Sequence, residues 1–224
     1  MRRAEPWPAA VLWDMDGTLV DTEPYWIEVE HELVHAHGGT WTREHALQLV
    51  GNDLLSSARY IREHGGVDLE PAEIVELLLA GVIARTEDQV PWRPGARELL
   101  SRLNETGVPC ALVTMSYRSF ARSVLDALPA GTFEVVVTGD SVSRGKPDPE
   151  PYLQAARLLG VPPESCLAIE DTNTGARSAE SAGARVLVVP NHVPVLEGKR
   201  RFFRDTLEGL DLDDLGRIGA RSEA

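Results

Sequence analysis

At 224 residues the chain is long enough for one large domain, or for a core with a smaller insert, and its 43% hydrophobic and 25% charged residues describe a globular protein rather than a disordered one. A net charge of −13 argues against nucleic acid or an anionic membrane as a partner, because phosphate groups attract clustered Lys and Arg. No stretch approaches the ~20 apolar residues of a membrane span, and the opening MRRAEPWPAA lacks a signal peptide's apolar run, so a cytoplasmic location is expected.

The short, unbroken apolar run Ala9–Asp14 (AAVLWD), followed by Gly17, reads as a strand buried on both faces. From about Thr22 to Trp92 no convincing strand occurs. Four helices are predicted there: Pro24–Ala36, Thr42–Val50, Leu54–Glu63 and Pro71–Asp88, with Thr22 placed to cap the first and Pro24 near its first turn. Gly38–Gly39, Gly51 and Gly65–Gly66 separate them. Beyond Trp92 helix and strand alternate. The helices are Pro94–Thr106, Arg118–Leu128, Pro149–Leu159 and Thr174–Ala182; the strands are Cys110–Thr114, Phe133–Thr138, Ser165–Glu170 and Arg185–Val189. This alternation predicts an α/β fold, a doubly wound parallel sheet with helices on both faces.

The predicted organisation is a core domain of residues 1–21 and 93–224, interrupted by a small all-helical cap domain, residues 22–92, that acts as a lid on two hinges. Cys110 and Cys166 fall in predicted strands, where a small apolar side chain suffices and neither a disulfide nor a metal is needed. The tail beyond Asn191 is poorly patterned, with one possible strand or helix near Phe202.

Ligands of open α/β sheets bind beyond the carboxyl ends of the strands, so the polar residues there carry the functional signal. The first strand ends in Asp14-Met15-Asp16-Gly17-Thr18, two carboxylates that a bend at Gly17 can aim at one point. The second ends in Thr114-Met115-Ser116, which offers hydroxyl and backbone donors. Gly145-Lys146-Pro147 follows the third, and Lys146 is one of only two lysines among 22 basic residues. The fourth ends in Glu170-Asp171-Thr172-Asn173, a second acidic pair. Each piece alone reads as a turn, a surface loop or a helix cap. Their succession, one after each of four strands, is specific.

That succession resembles the four motifs of the haloacid dehalogenase superfamily, and the stretches DMDGTLVDTEP, GKPDPEPY and IEDTNTG match its flanking text. The helical insert resembles the cap of its subfamily I members. The resemblance implies an Mg²⁺-dependent phosphatase acting on a small phosphate monoester, such as a sugar or polyol phosphate. In it, Asp14 is the nucleophile that forms an aspartyl-phosphate, and Asp16 protonates the leaving oxygen and later activates water. Thr114 and Lys146 hold the phosphoryl group. Mg²⁺ takes oxygen ligands from Asp14, the main-chain carbonyl of Asp16, Glu170 and Asp171, with Asn173 behind them. Substrate contacts are expected from the cap and hinges, at Trp26 and Gly51 together with Glu23 and Asn52. After the second strand they are expected from Ser116 and Arg118, with Tyr117 beside them.

Other chemistries of the superfamily are weighed on the same residues. Dehalogenases dispense with the second aspartate and the metal, whereas Asp16, Glu170 and Asp171 are present; phosphonatases need a cap lysine, and none occurs between Thr22 and Trp92. The alternative is a β-phosphoglucomutase-like sugar phosphate mutase, weakened because Trp26 and Leu54 stand where that enzyme has a histidine and an arginine, with Arg59 or Arg118 as substitutes. A remote alternative is a zinc protease, from His31-Glu32-Leu33-Val34-His35, an H-E-x-x-H pattern whose bland reading is a solvent-facing amphipathic helix.

Overall fold

The computed structural model describes residues 8–220. Its centre is a six-stranded sheet, all of whose pairings are parallel: β1 (Ala10–Trp13), β2 (Cys110–Val113), β3 (Val135–Val137), β4 (Cys166–Glu170), β5 (Arg185–Val188) and β6 (Arg201–Phe203), ordered β3-β2-β1-β4-β5-β6. The order reverses direction at β1, which makes its carboxyl end the crevice where ligands of such sheets bind. Register decides what meets there. Trp13 pairs with Leu112 on one side and Ile169 on the other, so Asp14 and Glu170 leave the sheet side by side.

Alternation along the strands divides the core into two layers. Val11, Trp13, Leu112, Leu167, Ile169 and Leu187 face one side, against Phe120, Leu99 and Leu100. Ala10, Leu12, Ala111, Val113, Ala168 and Val186 face the other. There α7 (Glu150–Leu159) and α8 (Asn173–Ala182) present Ala155, Ala156, Ala176 and Ala179, small side chains that let the helix backbones approach closely. On the first face lie α5 (Ala96–Glu105) and α6 (Arg118–Leu125). The tail beyond Asn191 supplies the parallel edge strand β6 and a last helix, α9 (Leu212–Ala220).

Between β1 and α5 the chain forms α1 (Glu23–Ala36), α2 (Arg43–Leu47), α3 (Leu54–Gly65) and α4 (Pro71–Asp88), with no strand of the sheet among them. The Asp53 carboxylate caps α3 by accepting from the Ser56 N–H at 2.9 Å. This layer is welded to the sheet side by apolar packing: Trp26 of α1 meets Phe120 of α6 edge to face, with ring centroids 5.5 Å apart. The two crossings of the chain run together. Asp21 N–H donates to Pro91 O at 2.7 Å and Arg93 N–H to Leu19 O at 3.0 Å. A side-chain network fastens them to the segment after β5, with Asn191 and His192 both on Asp21 Oδ1 at 2.9 and 2.7 Å, and Arg93 on Asn191 Oδ1 at 2.7 Å. No helix among the described residues is long and apolar enough to cross a membrane.

Candidate active site

Asp14 continues the β1 ladder, its N–H donating to Ile169 O at 3.1 Å, and its side chain is buried. Lys146 arrives from the loop after β3, held over β2 by its N–H on Met115 Sδ at 3.1 Å. Its Nζ donates to Asp14 Oδ1 at 2.6 Å and to Glu170 Oε1 at 2.7 Å. The Tyr152 hydroxyl donates to that same Glu170 oxygen, and the Lys146 ammonium also lies 5.1 Å from the centre of the Tyr152 ring. Asp171 accepts from Thr18 Oγ1 at 3.4 Å. Two glycines make room for the acids. A Cβ at Gly17, whose φ is +84°, would fall 2.0 Å from Asp171 Oδ2, and one at Gly175 would fall 2.0 Å from both Glu170 oxygens.

Crowding of acids sets the electrostatics. Burial raises the Glu170 carboxyl to about 7, with the Asp14 charge adding to it and Lys146 opposing. Asp171 is pushed well above the usual carboxylate range by burial and then by Asp14 and Glu170. Asp16 is likewise raised by burial, against the hydrogen bond from Thr22. Burial alone would lower Lys146, but Asp14 and Glu170 outweigh it and keep the ammonium charged.

These groups suit a divalent cation. Asp14, Glu170 and Asp171 each bring a carboxylate oxygen to within 4.8 Å of the others, the one such grouping of three His, Cys, Asp or Glu found among the described residues. Buried Glu170 Oε2 has no hydrogen-bond partner. An all-oxygen, anionic donor set with one unsatisfied oxygen matches a hard ion such as Mg²⁺. The Asp16 side chain stands outside this grouping.

Asp16 instead gathers donors: Thr22 Oγ1 at 2.6 Å, Ser116 Oγ at 2.8 Å, Thr114 Oγ1 at 3.3 Å and Trp26 Nε1 at 3.3 Å. The helix-capping role expected of Thr22 is therefore absent; its hydroxyl is spent on Asp16 rather than on α1. Asp14, Asp16, Trp26, Gly51, Thr114, Ser116, Lys146 and Asp171 line one cavity of about 80 Å³ between the sheet end and α1–α4, and Glu23 and Asn52 join them. Gly51, at φ +77°, closes it by approaching the Thr172 side chain. Arg118 does not line it: the side chain is exposed, and its backbone N–H donates to Asp140. Asn173 fastens the later loop, donating to Pro194 O and accepting from Leu196 N–H.

Three participants were not singled out from sequence: Tyr152, Thr18 and Glu30, which lines the cavity and accepts from Trp41 Nε1 at 3.0 Å. Tyr152 closes the GKPDPEPY stretch, which is its only sequence signal. Glu30 has none, since it sits in an ordinary amphipathic helix. The H-E-x-x-H residues His31, Glu32 and His35 are exposed, and Glu32 is paired with Arg85 at 2.7 Å, as a solvated helix face requires.

Comparison with known proteins agrees with this geometry. The model of the haloacid dehalogenase-like hydrolases matches residues 8–183. Protein CbbY of Rhodobacter capsulatus is 33% identical over 200 residues, covering 81% of this chain and 85% of that one. Hexitol phosphatase A of Escherichia coli (strain K12) is 35% identical over 187 residues, covering 80% and 81%. Among solved structures, CbbY from Rhodobacter sphaeroides in complex with xylulose-(1,5)bisphosphate superposes with a TM-score of 0.81 at 28% identity, covering 90% of this chain and 96% of that one. With its sheet order, its acids at the sheet end and these relatives taken together, the chain belongs to the haloacid dehalogenase-like hydrolase family.

Proposed function

We propose that the protein hydrolyses a small phosphate monoester, a sugar or polyol phosphate, through an aspartyl-phosphate on Asp14. The observation that carries this reading is the buried ammonium of Lys146 set between Asp14 and Glu170, with Asp171 beside them. A cation at that point offsets the repulsion between an anionic nucleophile and an anionic substrate. The Asp14 carboxylate attacks phosphorus while the bond to the leaving oxygen breaks, and Asp16 delivers a proton to that oxygen. Water, deprotonated by Asp16, then attacks the acyl phosphate and releases inorganic phosphate. Thr22, Ser116 and Trp26 fix the Asp16 carboxyl for both transfers. Thr114 and Lys146 hold phosphoryl oxygens.

Asp14, Glu170 and Asp171, with the Asp16 main chain, are the proposed ligands of Mg²⁺. When bound, that ion neutralises charge on the phosphoryl oxygens. Residues 22–92 act as the cap, closing over the sheet end and excluding water, while the core comprises 1–21 and 93–224. The proposed setting is the cytoplasm, in keeping with the buried free thiols of Cys110 and Cys166. The test is phosphate release from an activated aryl phosphate. Activity disappears with a chelator and returns with Mg²⁺; restoration by Zn²⁺ alone would refute the assignment.

A further inference from the structure

The cavity has two walls of different character. Its sheet-side wall carries Asp14, Asp16 and Asp171 together with Lys146. Its cap-side wall is formed by Glu23, Trp26, Glu30, Leu49, Leu54 and Ser57, among others. Lys146 is the one basic residue lining the cavity among the described residues, and it is already committed to Asp14 and Glu170. Arg59 and Arg118, the arginines that a second anion would need, are exposed and outside the lining. Glu30 is buried, and its Oε2 is oriented by Trp41. Glu23 opens α1, close enough to Glu30, Asp16 and Asp21 for their charges to act on it.

We infer that Glu23 and Glu30 determine substrate class, admitting a monophosphate whose remainder is uncharged and rich in hydroxyl groups and rejecting one that carries a second anion. This deepens the phosphatase reading and rests on it. The remainder of the substrate must face the cap wall, because Lys146 and the acid cluster take the phosphoryl end. Carboxyl groups there accept hydrogen bonds from hydroxyls, and Ser57 and Asn52 add further polar partners. Above about pH 8, where both carboxyl groups are ionised, a second phosphate or a carboxylate would enter a low-dielectric cleft against two negative charges with no cation to meet it, which is negative selection by charge. Burial raises both glutamates to about 8, so each can also donate to a hydroxyl oxygen when protonated. The same wall leaves no place for the second phosphate of a mutase's bisphosphate intermediate.

The experiment measures kcat/KM with Mg²⁺ at about pH 9, above the titration of both glutamates, for a hexitol monophosphate, phosphoglycolate, a hexose bisphosphate and phosphoethanolamine. The hexitol ester is expected to exceed the two anionic competitors by about 100-fold, the scale of like-charge repulsion in a desolvated cleft. Glu23→Arg is expected to narrow the hexitol-to-phosphoglycolate ratio by at least about tenfold, and Glu30→Gln, which keeps an acceptor for Trp41, to narrow it less. Calorimetric binding of the same compounds to Asp14→Asn reads selectivity without turnover. Should no compound be hydrolysed, the catalytic reading fails, while preferential binding of the hexitol ester still upholds the inference. Equal handling of phosphoglycolate or the bisphosphate would overturn it, as would a preference for phosphoethanolamine, which would mean that the glutamates await a cation.

Discussion

The two walls of one cavity were built under different constraints. At the sheet end, Asp14, Thr114 and Asp171 each follow directly on a buried strand, so backbone hydrogen bonding fixes where they point. On the helical side, Glu23, Trp26, Glu30 and Ser57 come from α1 and α3, helices that pack against α4 and whose pattern is dictated by apolar packing, and these four residues line the cavity. In the proposed reading, chemistry is therefore carried by residues fixed at strand ends, and selection by side chains on helices. Members of a family can share the first wall and differ in the second.

The largest effect expected on the sheet-end wall is from Asp14→Asn. It removes the attacking oxygen's charge, so kcat for phosphate release falls by at least about 10⁴-fold and no acid-stable phosphoenzyme is trapped by rapid quench. Retention of a burst would break the assignment of the nucleophile. Lys146→Met comes next. It leaves Asp14 and Glu170 facing each other unneutralised, so kcat drops about 10²–10³-fold and, in Mg²⁺-free urea unfolding, stability falls by about 3–5 kcal/mol. Near-wild-type values on both measures would show that the ammonium is dispensable.

The cap side answers to pH instead. The Glu30 carboxyl sits at about 8 in the folded protein against an ordinary 4.5, so the folded state holds the proton more tightly. This carboxyl's contribution to stability is thus greatest below about 4.5, declines as pH rises, and is lost above about 8. Glu30→Gln removes that share of the pH dependence and leaves the share of Glu23 in place. Urea unfolding is expected to give near-equal stability for variant and wild type at about pH 4.5, and a variant more stable by on the order of a few kcal/mol at about pH 9. Parallel pH profiles would show that water reaches the carboxylate. The smallest effect is that of Arg118→Ala, whose side chain is exposed and outside the cavity: kcat/KM changes by less than about twofold. A larger loss would place α6 in the binding surface.

Five of the six strands and the first eight helices were legible in the sequence, because a strand buried on both faces writes a continuous apolar run and an amphipathic helix a 3.6-residue period. β6 was not settled: Arg201, Phe202 and Phe203 are each only half-buried at the sheet edge, so no apolar run marks them. The acids and the lysine of the site were legible for the same reason as the strands they follow. Trp26 was legible as a residue of the cleft, but not as a donor to Asp16, and Thr22 was read as a cap although its hydroxyl serves that same carboxylate.

By itself, then, the sequence determined which chemistry-bearing residues end the strands, since strand position is a local property and the crevice of a parallel sheet follows from it. Tertiary structure alone decided their pairing. Strand order set β1 between β2 and β4 and brought Asp14 within reach of Glu170, a residue 156 positions later. It folded the loop after β3 back so that Lys146 neutralises both, and it turned Glu30 from one more polar position on a helix into the acid lining of a cleft. Local pattern cannot encode those contacts, because each depends on the packing angle between elements far apart in the chain.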